Sequence, residues 1–534
     1  RTFSNALSLG GNLTVGGTGN MTFSNTGALA LGATRTITVT NSGTSATFAQ
    51  SFSGATFAVS KAGAGTLVLT GSNTYTGTTV NNGGGVVIYQ GANALPPGIL
   101  QTTSGNNTFR IQRDSTYAGT GTNGLQVFTS ATANLVFERI NEGPAVNYTF
   151  SNGTAGAFDL SAGTTANFSA GANIASGTPT ITFANQMRSQ DAGGSGNINI
   201  DASGVNVRIN GFGIGGSGKS RNWILKGSST ASEVYGAIVE NSNVQVTKQG
   251  TGTWTLSGSN TYTGLTTVSN GTLVLAKSAS LLGANWTAAK INVNSGATLA
   301  FNVGGAGEFT TGNVTTLLTN LAASSGATNG MNAGSNFGFD TTNASGGTFT
   351  IADVIADSTG ASGGARGVTK LGSGELVLTN TNTHTGTTTV KAGTLTLGHA
   401  TDTLANAPVT IDGSGAALAI GANSDTVGVV TLKNGSITGS GGTLTGSSYA
   451  VESGSVSAIL GGSGVALTKS TGGTVTLSGA NSYSGATIVS SGTLQLSGSA
   501  AAIASSSGVD LGGGTLLISN TSGANNTDRL NDSG

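Results

Sequence analysis

KQGTGTWTLSGSNTYTGLTTVSNGTLVL, residues 248–275, contains two short alternating runs with Gly and Asn between them. In the first run Trp254 and Leu256 fall on one side and Thr253 and Thr255 on the other. In the second, Leu273 and Leu275 are again two residues apart. That is the period of a β-strand with one buried face. Between the runs, Gly258, Asn260 and Gly264 tolerate the left-handed backbone that sharp corners demand. Strands this short cannot bury an apolar face alone. Stacked rung upon rung, they give each backbone N–H and C=O a partner and build a continuous core.

Copies to stack on are present in the chain. The same 28-residue pattern occupies residues 61–88, 248–275, 370–397 and 469–496, starting at Lys61, Lys248, Lys370 and Lys469. Gly follows at plus four, Leu at plus eight (Leu69, Leu256, Leu378, Leu477) and Asn at plus twelve (Asn73, Asn260, Asn382, Asn481). Gly returns at plus sixteen (Gly77, Gly264, Gly386, Gly485) and plus twenty-three (Gly84, Gly271, Gly393, Gly492). Such self-similarity signals stacked units. It predicts that all four Leu point inward and that the copies occupy equivalent places on one wall. It also predicts that Asn at its fixed corner stacks on equivalent Asn where rungs align.

The string Gly-x-Gly-Thr-Leu-x-Leu-Thr-Gly-x-Asn-Thr-Tyr-Thr-Gly-x-Thr-Thr-Val-x-x-Gly-Thr-Leu-x-Leu resembles the autotransporter-associated β-strand repeat of secreted bacterial autotransporter passengers and giant surface proteins. Residues 248–275 match best, whereas 61–88 depart by carrying Asn81 where the others have Val268, Val390 and Val489. The resemblance implies an all-β fold, a right-handed parallel β-helix, and a place outside the cell or on the bacterial cell surface. The segments between copies fit further rungs: Ile291-Asn292-Val293 with Gly296 and Leu299, Val409-Thr410-Ile411 with Gly415 and Leu418, and Val509-Asp510-Leu511 with Gly514 and Leu516. One stretch breaks the pattern. Val314, Leu317, Leu318 and Leu321 follow a helical period with Asn313 as N-cap, predicting a short amphipathic helix near 313–323.

A solenoid grows in one dimension, so the 534 residues are expected to form one continuous body over 1–534. At roughly 20–25 residues per rung and about 4.8 Å between strands, it would be about 100–130 Å long. With 90 Gly but only 5 Pro, collagen is excluded. The 36% hydrophobic content, in alternating order, argues against disorder. Charged residues make up 7%, with 20 basic and 20 acidic side chains cancelling. That excludes a basic surface for nucleic acid or anionic lipid. The absence of Cys suits a chain that crosses an oxidising periplasm unfolded. No apolar run approaches the roughly 20 residues of a membrane span. The sequence opens without a signal peptide and stops at Asn531-Asp532-Ser533-Gly534 in rung-like sequence, which reads as a section of a longer or processed protein.

Residues 213–220, Gly213-Ile214-Gly215-Gly216-Ser217-Gly218-Lys219-Ser220, match a P-loop formally. A P-loop requires a helix after it, and residues 221–227 read as a strand instead. His384 takes the place filled by Tyr75, Tyr262 and Tyr483, and neither it nor His399 has convergent metal ligands. Asp532-Ser533-Gly534 resembles the nucleophile motif of some autotransporter proteases, but no triad partners are visible. The densest carboxylates are Glu138 with Glu142 and Asp353 with Asp357, the candidates for a β-helical polysaccharide lyase or glycosidase. No catalytic, cofactor-binding or metal-ligating residue is assigned. The least repeat-like section, residues 90–243, concentrates Arg110, Arg113, Glu138, Arg139, Glu142, Tyr148, Arg188, Asp191 and Trp223. The expected role is a non-catalytic extracellular stalk or fibre segment. Its partners would be itself, end to end, or a glycan or cell surface bound adhesin-fashion through 90–243.

Overall fold

A computed structural model describes residues 1–119, 124–128, 131–151, 158–190, 195–214, 218–240, 242–326, 328–519 and 529–530. The chain is a mostly β, parallel β-solenoid, with about 22 turns among the described residues. It divides into two compact units, residues 1–273 with 279–282, and residues 274–278 with 283–534.

In the first unit one wall runs in parallel through Ser45–Phe48, Thr66–Leu69, Val86–Gln90, Asn106–Gln112 and Thr132–Glu138, and on to Val244–Lys248. A second wall stacks Arg35–Val39, Val59–Ala62, Thr79–Asn81, Ile99–Thr102 and the strands that follow to Phe212–Ile214. A third forms from Tyr117–Gly119 through Thr253–Leu256. The inward columns are apolar and in register. Phe3, Phe23 and Phe48 pair rung to rung, with stacked ring centroids 5.7 and 4.6 Å apart. In the second unit a wall runs from Asn336–Asp340 through Gly367–Leu371 and Thr388–Val390 to Thr487–Val489. Beside it stack Thr348–Ile351, Glu375–Leu378, Gly393–Leu397, Thr474–Leu477 and Thr493–Ser497.

Each repeat copy contains one complete turn. Lys61 pairs with Asn81, Lys248 with Val268, Lys370 with Val390 and Lys469 with Val489, twenty residues on in every case. Leu69, Leu256, Leu378 and Leu477 are all buried, as the alternation required. Copies three and four share a wall. Copies one and two do not: Val59–Ala62, holding Lys61, lies in the second wall, whereas Val244–Lys248 lies in the first. The turns between them vary in length, Leu135 pairing with Phe168 and Phe168 with Ala202, so the second copy begins one side further round. The repeat is a local turn-former, indifferent to which side of the solenoid it starts on.

Copy one also slips. Leu378 faces Leu397 and Leu477 faces Leu496, but Leu69 faces Tyr89 rather than Ile88. Val87 and Tyr89 are therefore the buried pair, and Val86 and Ile88 point outward. The extra residue is taken up in Asn82-Gly83-Gly84-Gly85, where Asn81, turned inward, donates its amide to the Gly85 carbonyl at 3.0 Å.

The repeat Lys and Asn are fasteners between rungs. Lys248 Nζ donates to the carbonyls of Gln249, Gly250 and Asn270 at 2.7, 2.8 and 3.1 Å. Lys370 Nζ does the same to Leu371, Gly372 and Ala392 at 2.6, 2.7 and 3.0 Å. A buried ammonium thus ties one turn to the same turn a rung later, satisfying carbonyls that the ladder leaves open. Burial pushes the amino groups of Lys61, Lys248 and Lys370 down to about 8. The Asn do not stack on one another as expected, because their copies lie several rungs apart. Each bridges its two neighbours instead: Asn382 Oδ1 accepts from the Ile355 N–H at 2.8 Å while its amide donates to Thr403 O at 2.8 Å and Asn380 O at 3.1 Å. Amide ladders occur elsewhere, on the outer face, where Asn167 donates to Asn134 and Gln126 accepts from Gln101 at 2.9 and 2.7 Å.

The helix spans Thr311–Asn320, and its N-cap is Thr310 rather than Asn313. Asn313 stands at the third helical position and completes a capping box, its Oδ1 accepting from the Thr310 N–H at 2.9 Å. Val314, Leu317, Leu318 and Leu321 are buried, as the period predicted. The turn carrying it runs from Asn292 to its partner Gly330, nearly twice the length of a repeat turn.

Candidate functional site

The charged residues of 90–243 were the strongest candidates for recognition, and most of them are spent inside the fold. Glu138 is buried; Arg110 donates to it from Nε at 3.1 Å and from a terminal nitrogen, and Gln112 donates at 2.7 Å. Burial opposes its charge, but these hydrogen bonds outweigh that and hold its carboxyl below the ordinary range. Tyr148, also buried, donates to the Glu138 carbonyl at 3.1 Å. Arg113 lies over the Tyr117 ring at 4.7 Å and donates to the Ala92 carbonyl. Arg139 donates to the carbonyls of Asn141 and Pro144 at 3.0 and 2.7 Å. Arg188 donates to both oxygens of Asp159 at 3.1 and 3.3 Å. Trp223 is a core residue, stacked on Phe212 with centroids 4.0 Å apart. Only Glu142 of this set is exposed, and Asp191 lies outside the described residues.

The physical reason is the register. A parallel solenoid places equivalent outward positions of successive rungs opposite one another, so Arg110, Val136 and Ser169 form one column and Gln112 and Glu138 the next. Unlike charges in adjacent columns pair along the wall instead of converging on a ligand. The outer face carries a shallow depression of about 190 Å³ lined by Asn197, Asn222 and Gln245. It is smaller than the roughly 300 Å³ at which small-molecule sites begin.

The P-loop segment has strands on both sides. Asn206–Ile209 precedes it, Phe212–Ile214 overlaps its start and Arg221–Gly227 follows, so among the described residues no helix begins there. Gly215, Gly216 and Ser217 lie outside the described residues. Asp357 accepts from the N–H groups of Arg366 and Thr385, both at 2.9 Å. Burial works against its charge, but those bonds and the Thr385 hydroxyl hold its carboxyl low. Asp353 accepts from Thr315 at 2.6 Å. Among the described residues no three His, Cys, Asp or Glu gather as a metal site, and no helix is long and apolar enough to cross a membrane. Asp532, Ser533 and Gly534 lie outside the described residues.

His384 is a working part of the repeat. Its Nε2 lies 2.9 Å from Thr388 Oγ1, reproducing the contact of Tyr75 with Thr79, Tyr262 with Thr266 and Tyr483 with Thr487. Burial pushes its imidazole down to about 4. An unfolded His takes its proton near pH 6.5, so this group's contribution is complete above that and is lost as pH falls towards 4. Buried Asp425 opposes it: burial raises its carboxyl to about 7, so its contribution is complete below about 4 and fades as pH rises to 7. His384→Tyr, which restores the residue of the other copies, is expected to remove about 3 kcal/mol of acid sensitivity between pH 6.5 and 4. Comparing urea unfolding of wild type and variant across that range isolates the His from Asp425. Identical pH profiles would contradict the assignment.

Comparison with known proteins agrees with this architecture. The model of the passenger-associated-transport-repeat matches residues 59–88, 246–275, 368–397 and 467–496. The chain is similar to the adhesin BmaC autotransporter of Brucella suis biovar 1 (strain 1330), 31% identical over 336 residues, which is 61% of this chain and 8% of that protein. The chain therefore spans less than a tenth of its relative's length. No solved structure matches.

Proposed function

We propose that this chain is a non-catalytic section of an exported autotransporter-type passenger, a single continuous solenoid that stands outside a bacterial cell as a stalk or fibre segment. The observation that carries this is the fourfold passenger-associated repeat, each copy a self-contained turn fastened to its neighbours. The absence of Cys and the near-neutral charge favour a chain that is threaded unfolded and gains its stability by stacking after export. Supporting the non-catalytic reading, Glu138 and Asp357 are held in structural hydrogen bonds, and the P-loop segment leads into a strand.

Placed between an export leader and an outer-membrane barrel in a Gram-negative host, the chain is expected to reach the surface of intact cells. Accessibility to antibody and added protease measures it. Retention of the folded chain inside the cell would contradict the passenger reading.

Adhesion is the second reading, favoured by the relative, an adhesin by name. On this reading the outer face of 90–243, with its amide ladders and half-exposed Arg110 and Arg188, meets a glycan or a cell surface.

A further inference from the structure

The long turn of the second unit builds a concavity. Its helix, Thr311–Asn320, buries one face on the solenoid and turns Thr315 and Thr319 outward. Opposite runs the segment 352–357. Between them lies a cleft of about 340 Å³ lined by Thr315, Leu318, Thr319, Ala322, Asp353, Val354, Ala356 and Arg366. That volume sits at the small end of the range for ligand sites, roughly 300–1,000 Å³.

Arg366 is 2% exposed, yet makes no ion pair among the described residues. Its guanidinium donates to the Leu321 carbonyl at 2.9 Å and, through two nitrogens, to that of Ala356. Three of its five N–H groups are thereby used, and two are left to offer. Its ring-facing side lies over Phe337 at 5.1 Å, which fixes the plane. Across the cleft Asp353 uses Oδ2 on the Thr315 hydroxyl, and its other oxygen has capacity to accept. Leu318, Ala322 and Val354 provide the apolar part, with Val354 43% exposed.

We propose that this cleft binds a neutral saccharide unit. Asp353 and Arg366 are the charges that line the cleft, Asp357 beside Arg366 being taken up by the Arg366 and Thr385 N–H groups and the Thr385 hydroxyl, so an anionic ligand would meet Asp353 and a cationic one Arg366. A hydroxyl-rich neutral ring can donate to Asp353 and accept from Arg366 at once, while its C–H face lies on Val354 and Ala322. The site goes beyond the passenger reading and is independent of it, since a stalk section can carry a sugar site or lack one.

The test titrates the purified chain with D-galactose, D-glucose, D-mannose and D-galacturonate, observed by saturation-transfer NMR and calorimetry. At least one hexose is expected to bind saturably. Affinity should fall about tenfold or more in Asp353→Ala, which loses a charged acceptor, and in Ala322→Trp, which fills the cleft. Arg208→Gln, in the other unit, should leave it unchanged. Ala322 is exposed and Asp353 partly so, and circular dichroism checks that each variant is folded; should one misfold, the other decides. Failure of every hexose to bind, binding that persists in both cleft variants, or a preference for galacturonate over all hexoses would overturn the proposal. Surface export of the same chain would be unaffected by any of these results.

Discussion

Asn382→Ala is expected to destabilise its turn by about 3–6 kcal/mol. Three hydrogen bonds go with the amide, and the groups left behind are buried backbone: the Ile355 N–H and the carbonyls of Thr403 and Asn380. Each orphaned buried partner costs about 1–3 kcal/mol, which exceeds the value of the bond itself. Asn260 and Asn481 occupy the same repeat position and bridge in the same way, accepting from Ile238 and Leu460 at 2.8 and 3.0 Å and donating to Ser280 and Ala502 at 2.6 and 3.0 Å. In a stack where each turn touches only its neighbours, the damage should stay local. Hydrogen exchange should therefore accelerate at Ile355 and the adjoining rungs of the second unit and leave the strands around Leu135 at their wild-type rates. Unchanged exchange at Ile355 would show that the side chain is not the fastener described.

Gly264→Ala is the second large effect, about 3 kcal/mol or more. A Cβ at Gly264 would stand 2.2 Å from the Val244 carbonyl oxygen and 2.8 Å from Gln245 Cγ. That carbonyl also accepts the Gly264 N–H at 3.0 Å, so relieving the clash means separating the rungs. Gly77, Gly386 and Gly485 share the constraint, each with backbone within 2.5 Å of the added atom. Gly17 provides the contrast: its φ is +80° but nothing lies within 4 Å of its Cβ, so Gly17→Ala should cost only the left-handed strain, about 1–2 kcal/mol. Urea midpoints of the two variants measure the difference. Equal destabilisation would mean that rung spacing at the repeat Gly is not the constraint.

Much of the fold could be read from period alone. Leu69, Leu256, Leu378 and Leu477 had to face inward because they alternate with Thr, Val or Glu, and they do. The helix was visible because four apolar residues changed period from two to between three and four. What period does not carry is which neighbour a rung meets. The gap-free spacing concealed the slip in copy one, since the closing strand offers Val86, Val87, Ile88 and Tyr89 in succession and either alternation is apolar. The role of Lys was equally hidden. A cation at the head of a strand reads as an exposed terminus, and only the turn geometry reveals three carbonyls converging on it. A hint existed: Lys recurs at one repeat position four times in a chain with only 20 basic residues.

The recognition residues of 90–243 misled for a related reason. Arg, Glu and Trp are the side chains of binding surfaces in globular domains. In a solenoid an Arg and a Glu one rung apart, as Arg110 and Glu138 nearly are, find each other first. The cleft beside the helix was not legible because Thr315, Asp353 and Arg366 are far apart in sequence, and Asp353 stood out only as a carboxylate beside Asp357.

Electron microscopy of the purified chain tests the proposed single continuous solenoid most directly. If the two units continue one into the other as proposed, about 22 turns at about 4.8 Å per turn give uniform unbranched rods roughly 100–130 Å long. Two separate bodies joined at variable angles, or compact particles much shorter than that, would contradict it.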